Sequence, residues 1–158
     1  MTEQDQVDAL YAAQATTDLE RELIEALPAR ADPYRDVTSH AVPEQAANGA
    51  FFDCLSGQQD RNPGNVLWQE ERSRIYLIDH GFSFARPGDH TGHLELTAWR
   101  WQRGSRALDD FERAAVSSLT DADLGDLRGY LAGDRADALL DRAQRLRRDR
   151  EILPPGEL

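Results

Sequence analysis

The spacing of apolar residues changes along the chain, and each change marks an expected structural element. Apolar residues recur at helical spacing over residues 3–27 and again from residue 94 onward. Between these parts, β-branched and aromatic residues form two short runs at 66–68 and 75–78, separated by a polar segment. Two such runs predict the strands of a β-hairpin. The pattern therefore predicts a mostly α-helical, α+β protein with one small hairpin.

A helix is expected immediately before the hairpin, from Pro43 to about residue 56. Proline is tolerated best in the first turn of a helix, and Gly57 is typical of a helix C-terminus. Ala46, Ala50 and Cys54 recur at helical spacing, so we expect them to lie on the buried face. The helix would deliver the chain directly into the polar segment that follows it.

The chain divides into two expected parts. Residues 1–42 are interpreted as an N-terminal helical segment and a linker, because residues 28–42 hold two prolines and scattered polar residues. Residues 43–158 are interpreted as one domain with a helical second half. In that half, Thr120 and Asp134 are expected to cap helices, and Phe111 is expected on an apolar helix face.

Three polar residues stand where apolar runs end, namely Asp60, Asn65 and Asp79. Pro63 and Gly64 predict a turn between the first two. A hairpin over the strands that follow brings Asn65, before its first strand, near Asp79, after its second. Carboxylate and amide oxygens suit Mg²⁺, and a separate carboxylate can orient a hydroxyl for phosphate transfer. The spacing therefore predicts a site for a divalent ion and a phosphate.

These residues resemble the phosphatidylinositol 3/4-kinase-like and HipA-like family of atypical kinases, in particular its small actinobacterial members. The run DRNPGN, from Asp60 to Asn65, is similar to the catalytic loop, and IDHG, around Asp79, is similar to the metal-binding motif. The resemblance implies a kinase C-lobe over residues 43–158. It also implies that Asp60 is the catalytic aspartate and that Asn65 and Asp79 bind Mg²⁺. Asn65, Asp79 and His80 are the residues expected to contact ATP. Asn62 departs from the pattern of phosphatidylinositol 3-kinases, which usually have histidine there.

One part of a kinase is not recognisable in the sequence. All 18 basic residues are arginine, whereas kinases hold the nucleotide phosphates with a lysine of the N-lobe. No glycine-rich loop or N-lobe can be identified either. We therefore expect a phosphotransferase that moves phosphate from Mg²⁺–ATP to a hydroxyl of a protein or small molecule, with an N-lobe supplied by a partner protein. The alternative is a non-catalytic, pseudokinase-like interaction module.

Two other metal sites are compatible with parts of the sequence. Asp60, Asn62, Gly64 and Glu71 occupy positions one, three, five and twelve of an EF-hand loop. Position six is Asn65 rather than glycine, and a strand is expected where the second EF-hand helix would run.

A zinc site is the other alternative, built from the histidines at and after the metal-like motif. His80, His90 and His93, with Asp89, could provide ligands, although no cysteine lies in reach to complete the usual four.

The five arginines between residues 142 and 150 are interpreted as a solvated helix face, with partner docking as the alternative.

Charge and composition exclude several function classes. The net charge of −11 argues against binding to nucleic acid. We expect no membrane insertion, because no apolar stretch approaches the roughly 18 residues of a bilayer span. With no secretory signal and one cysteine, Cys54, the expected location is the cytoplasm. Cys54 itself is expected to be a buried, small hydrophobic residue.

Overall fold

The computed structural model describes residues 29–30, 43–89 and 92–158. Its helices are α1 (Pro43–Ser56), α2 (Glu95–Gln102), α3 (Asp110–Ser118), α4 (Asp121–Leu127) and α5 (Gly133–Asp149). Its strands are β1 (Ala29–Arg30), β2 (Asp60–Arg61), β3 (Val66–Gln69), β4 (Arg74–Leu77) and β5 (His93–Leu94). Short 3₁₀ segments cover Pro63–Asn65, Glu70–Arg72 and Pro155–Glu157. The predicted α+β class is confirmed.

The predicted N-terminal helical segment lies outside the described residues, but a short piece of the expected linker lies within them. Ala29 and Arg30 form a strand that pairs antiparallel with β3, opposite Trp68 and Leu67. The linker interpretation was wrong at these two residues, because two residues carry no alternation that separates strand from loop. The hairpin is therefore part of a three-stranded sheet with the order β1-β3-β4.

The predicted hairpin is confirmed, and it is fixed to helix α1. The register pairs Val66 with Leu77 and continues in step to the far end of both strands. From α1, the Gln45 amide donates to the Ser73 carbonyl at 2.8 Å and accepts from the Ile75 N–H at 2.9 Å. These contacts tie the turn and the start of β4 to the helix, so the two ends of the hairpin keep a defined position.

Helix α1 contributes to both hydrophobic clusters of the described chain. One side packs with α2, through the buried residues Ala46, Ala50, Leu96 and Trp99. The other side packs with α3, α5 and the C-terminal segment, through Phe51, Cys54, Leu108, Val116, Leu146, Ile152 and Leu153. The expected burial of its apolar face is confirmed. Because α1 is held on two sides, the segment that leaves its C-terminus is held in place as well.

The caps of the later helices agree only in part with the sequence. The Thr120 hydroxyl accepts the Asp123 N–H at 3.2 Å, which confirms the cap of α4. Helix α5 begins one residue before Asp134, which lies in the first turn rather than at the cap.

Phe111 was expected on an apolar face but is 70 % exposed, whereas Val116 of the same helix is buried. Helical spacing alone does not determine which apolar residue of a short helix turns inward.

Buried arginines join the elements where the sequence predicted a solvated face. The Arg142 guanidinium donates to the carbonyls of Leu55 and Ser56, at 3.0 and 3.2 Å, and to that of Ala85 at 2.6 Å. It thereby caps the C-terminus of α1, where the helix dipole favours a cation. The solvated-face interpretation was wrong for Arg142, because the carbonyls of two other segments converge on its side chain.

A second buried arginine connects α2 to α3. Arg100 forms a two-pronged ion pair with Glu112, at 2.5 and 2.8 Å, and it also donates to three backbone carbonyls.

No helix within the described residues is both long and apolar enough to cross a lipid bilayer.

Candidate functional site

The turn between Asp60 and Asn65 is built from side-chain hydrogen bonds to its own backbone. Asn62 accepts the Gly64 N–H through its Oδ1 at 2.8 Å, and its Nδ2 donates to Asp60 Oδ1 at 3.1 Å. Asn65 Nδ2 donates to the Asp60 carbonyl at 2.8 Å. Asn62 therefore holds the Asp60 carboxylate, and Asn65 is oriented so that its amide nitrogen faces the turn while Oδ1 keeps its acceptor capacity.

The hairpin brings Asn65 next to the end of β4, as the sequence predicts. The Ile78 N–H donates to the Asn65 carbonyl at 3.1 Å, so the pairing of the two strands extends one residue beyond β4. Asp79 follows with a φ of 52°, in the left-handed region, which aspartate tolerates better than most residues. Its exposed carboxylate accepts the Gly81 N–H at 3.3 Å. Asn65 and Asp79 thus lie at adjacent ends of one hairpin.

A buried glutamine joins Asp60 to Asp79. Gln58 is completely buried. Its Oε1 accepts the Asp60 N–H at 3.0 Å, and its Nε2 donates to the Asp79 carbonyl, also at 3.0 Å. One side chain therefore sets the distance between the two acidic residues that the sequence assigns to the site.

The guanidinium of Arg61 lies beneath the site and contacts three segments. It forms two hydrogen bonds of 2.9 Å with the Asp53 carboxylate of α1. It also donates to the Asn65 carbonyl at 2.8 Å and to the Ile78 carbonyl at 2.7 Å. Burial raises the pKa of the Asp53 carboxyl above its ordinary value, and the hydrogen bonds and charge of Arg61 oppose that rise. The charged pair connects α1, the turn and the end of the hairpin.

His80 packs against the same arginine. Its Nδ1 lies 3.3 Å from an Arg61 nitrogen, and its Nε2 lies 3.2 Å from the Leu77 carbonyl. Since a guanidinium can only donate, Nδ1 accepts, and the Nε2–H tautomer satisfies both contacts. The ring also meets Phe52 edge-on at 5.3 Å. The contact between His80 and the nucleotide stays a prediction. If a ring nitrogen made this contact, His80 would lose its bond to Arg61 or to the Leu77 carbonyl.

A cleft of about 750 Å³ opens beside Asp60. One wall is the segment that follows Asp79, which runs back along the end of α1. The Phe84 N–H of this segment donates to the Ser56 carbonyl of α1 at 2.6 Å. The residues of this segment that line the cleft are His80, Gly81, Phe82, Ser83, Phe84 and Ala85. The rest of the lining is mixed in character and consists of Gln59, Asp60, Asp89, Gly92, His93, Leu131 and Arg135.

Two buried polar atoms belong to residues in the wall of this cleft. Gln59 Oε1 and Ser83 Oγ have no hydrogen-bond partner within the described ranges. Buried polar atoms are normally paired with protein or water. A water molecule or a ligand could supply the missing partner of each atom.

The calcium interpretation is wrong. Residues 74–77 form a strand paired with β3, where an EF-hand requires its second helix. Asn62 also uses both side-chain atoms within the turn itself. Across residues 29–30, 43–89 and 92–158, no three His, Cys, Asp or Glu side chains converge as a metal-binding group. The zinc interpretation therefore gains no support there, and His90, which it used, lies outside the described residues.

The sequence pattern points to the acidic residues of the site, Asp60 and Asp79, but not to the buried residues that position them. In the sequence pattern Arg61 is only one residue of the turn, and Gln58 has no distinguishing feature. A charged residue immediately next to a candidate catalytic aspartate, and four residues before the candidate amide ligand Asn65, is a signal that could have identified Arg61. Gln58 carries no comparable signal, because its role depends on how close two distant segments come.

Comparisons with known proteins add no further identification. The chain matches no protein-family model, and neither a curated protein nor a solved structure matches it. The resemblance to phosphatidylinositol 3/4-kinase-like proteins therefore stays a prediction that rests on the residues of the turn and of the Asp79 segment.

Proposed function

We propose that this chain is the C-lobe of a kinase-like phosphotransferase that uses Mg²⁺ and ATP. The observation that carries the proposal is the linkage of Asp60, Asn65 and Asp79 by two buried side chains. Gln58 bonds the backbone on both sides of the site, and Arg61 bonds the carbonyls of Asn65 and Ile78. A turn that served only to connect two strands would not require buried polar side chains to hold its two ends together.

Asn65 and Asp79 would hold Mg²⁺. Mg²⁺ prefers oxygen ligands, and it commonly uses one or two protein side chains and completes its shell with water and substrate phosphates. The Asn65 amide nitrogen is engaged by the Asp60 carbonyl, which leaves Oδ1 for a cation, and the Asp79 carboxylate is exposed. Such an ion would neutralise the charge that develops on the nucleotide phosphates.

Asp60 would contact the acceptor. It lines the cleft, and Asn62 holds its carboxylate at 3.1 Å. A carboxylate in this position orients the acceptor hydroxyl, and positioning accounts for most of what a phosphoryl-transfer enzyme contributes.

The acceptor is better described as a protein or small-molecule hydroxyl than as a phosphorylated inositol lipid. The arginines near the cleft are already paired with acidic residues. Arg86 contacts Asp89 at 3.1 Å and Asp134 at 2.7 Å, and Arg135 contacts Asp89 at 3.2 Å. A phosphorylated headgroup would have to displace these carboxylates, since anion recognition by arginine uses the same donors.

The phosphate lysine and the glycine-rich loop would come from outside these 158 residues, from an N-lobe donated by a partner protein. The test is transfer of labelled phosphate from ATP in the presence of Mg²⁺, the purified chain and a cell extract. Labelling that depends on the wild-type chain, and that is lost with Asp60→Asn and with Asp79→Asn, is the expected result. Equal labelling with all three proteins would contradict the proposal.

The second candidate is a non-catalytic, pseudokinase-like module. The complete lack of lysine in the chain favours it, because that residue is the standard phosphate contact of a kinase. It predicts a protein partner whose binding is unaffected by ATP, Mg²⁺ or the Asp79→Asn substitution. The phosphotransferase predicts that the nucleotide strengthens the same association.

A further inference from the structure

His93 is placed directly beside Asp60 by a strand pairing that the sequence does not reveal. Strands β2 and β5 are parallel, with Asp60 opposite His93 and Arg61 opposite Leu94. The Gly92 N–H donates to the Gln59 carbonyl at 3.0 Å and anchors the start of this pairing. Both Asp60 and His93 line the cleft. An imidazole and a carboxylate therefore face one space from adjacent strands.

The imidazole is oriented by a second carboxylate. Nδ1 of His93 lies 2.9 Å from Oε1 of Glu95, whose side chain is 17 % exposed while that of His93 is 61 % exposed. The other carboxylate oxygen of Glu95 is buried and has no partner within the described ranges. A carboxylate on Nδ1 favours the tautomer with its proton there, so Nε2 keeps the lone pair. Histidine–carboxylate pairs of this kind form proton acceptors in hydrolases and transferases.

We propose that His93, oriented by Glu95, accepts the proton of the acceptor hydroxyl, while Asp60 orients that hydroxyl. This assignment rests on the proposed phosphotransfer. With the turn alone, Asp60 would both orient the hydroxyl and accept its proton, whereas here His93 takes the second role. As the acceptor oxygen bonds to the γ-phosphorus of ATP, its proton passes to Nε2 of His93. The bond from the γ-phosphorus to the bridging oxygen breaks, that oxygen leaves with ADP, and the imidazolium releases its proton to water.

The pairing also gives a reason for the departure at Asn62, where phosphatidylinositol 3-kinases usually have histidine. Asn62 is occupied in holding Asp60 and the turn, at 3.1 and 2.8 Å. The imidazole that the turn lacks is supplied by the neighbouring strand. His80, the other described histidine near the site, cannot take this role without losing its contacts to Arg61 and Leu77.

The first test measures the His93 tautomer and does not depend on activity. Nitrogen-15 NMR of the purified chain, at a pH well above the ordinary imidazole pKa of about 6.5, distinguishes the two ring nitrogens. The expected result is a protonated Nδ1 and an unprotonated Nε2 in the wild type, with a smaller Nδ1–H population in Glu95→Gln. A predominant Nε2–H tautomer in the wild type overturns the proposal.

The second test uses the labelled-phosphate assay with added imidazole. His93→Gln should lower transfer by on the order of 10²-fold, the usual effect of removing a general base. In His93→Gly, free imidazole should restore transfer in proportion to its concentration, whereas it should not restore Asp60→Asn. If His93→Gln transfers phosphate as fast as the wild type, the role of His93 is overturned and the proposed function stands. Failure of the wild type itself to transfer phosphate overturns both.

Discussion

Arg61 and Asp53 form a two-pronged ion pair, with both hydrogen bonds at 2.9 Å and both side chains almost completely buried. The pair lies between helix α1 and the turn that carries Asp60 and Asn65. Because the guanidinium also donates to the carbonyls of Asn65 and Ile78, the loss of this one side chain would release three segments at once. The position of the site therefore depends on a charge that solvent does not reach.

Arg61→Lys should destabilise the protein strongly even though it keeps the charge. A lysine cannot form the paired bonds to Asp53 and reach two carbonyls, so the carboxylate remains buried and poorly compensated. We expect a loss of about 3 kcal/mol in the free energy of unfolding, measured by urea denaturation. Arg148→Lys is the matched control, because Arg148 is exposed and its ion pair, among the described residues, is with its neighbour Asp149 alone. Equal stability of the two variants would show that the buried pair does not support the turn.

Gln58→Glu should separate Asp60 from Asp79 without changing the size of the side chain. A carboxylate would place an oxygen against the Asp79 carbonyl, where Gln58 Nε2 now donates. The side chain at position 58 is completely buried, and a buried polar group without its partner costs about 1–3 kcal/mol. The transfer of labelled phosphate should fall with this loss of stability. Gln144→Glu makes the same change on an exposed face of α5 and should alter neither quantity. Full transfer by Gln58→Glu would contradict the role of Gln58 as the link.

Gly92→Ala should disturb the pairing between β2 and β5. A Cβ at Gly92 would lie 2.8 Å from the Gln59 carbonyl oxygen, a backbone atom that cannot move aside easily. We expect a loss of about 1–3 kcal/mol by thermal unfolding and faster hydrogen exchange at the amides of residues 92–94. Gly133→Ala is the control, because its Cβ would meet no atom within 4 Å. Unchanged exchange in Gly92→Ala would contradict the close approach that places His93 beside Asp60.

Cys54 should make the stability of the protein depend on pH in the alkaline range. Burial raises the pKa of its thiol to about 11, above the ordinary value of 9.0. Between about pH 9 and 11 the unfolded thiol loses its proton while the folded thiol keeps it. Stability is therefore complete below this range and falls by up to about 1.4 kcal/mol per pH unit within it.

The measurement for Cys54 is urea denaturation from pH 8 to about 11, compared with Cys54→Ala. The variant retains every other group that titrates in this range, so the difference between the two slopes belongs to the thiol. Parallel pH profiles would show that the thiol titrates normally in the folded protein.

The elements next to the site could be predicted from sequence because each has a local cause. Proline at the start and glycine after the end predicted α1, and two β-branched runs predicted the hairpin, both of which are confirmed. Asp60, Asn65 and Asp79 stood out because they interrupt apolar runs. Their placement at the turn and the hairpin ends follows from the register of β3 and β4.

The rest depends on contacts between segments far apart in the sequence. β1 and β5 are two residues long and exist only through their partners, so the place of His93 beside Asp60 could not be foreseen. The burial of Arg61 and Arg142 ran against the general rule that arginine is exposed. Both side chains are buried because several backbone carbonyls converge on them, and a sequence pattern does not show such convergence.

The most direct test of the magnesium and nucleotide site is paramagnetic broadening by Mn²⁺, which replaces Mg²⁺ at oxygen sites. Substoichiometric Mn²⁺ with ATP is added to nitrogen-15-labelled protein, and the loss of each amide signal is recorded. The proposed site predicts that broadening is centred on the amides around Asn65 and Asp79 and is abolished in Asp79→Asn, while the free energy of unfolding stays nearly unchanged. Broadening centred elsewhere, or identical in Asp79→Asn, would contradict it.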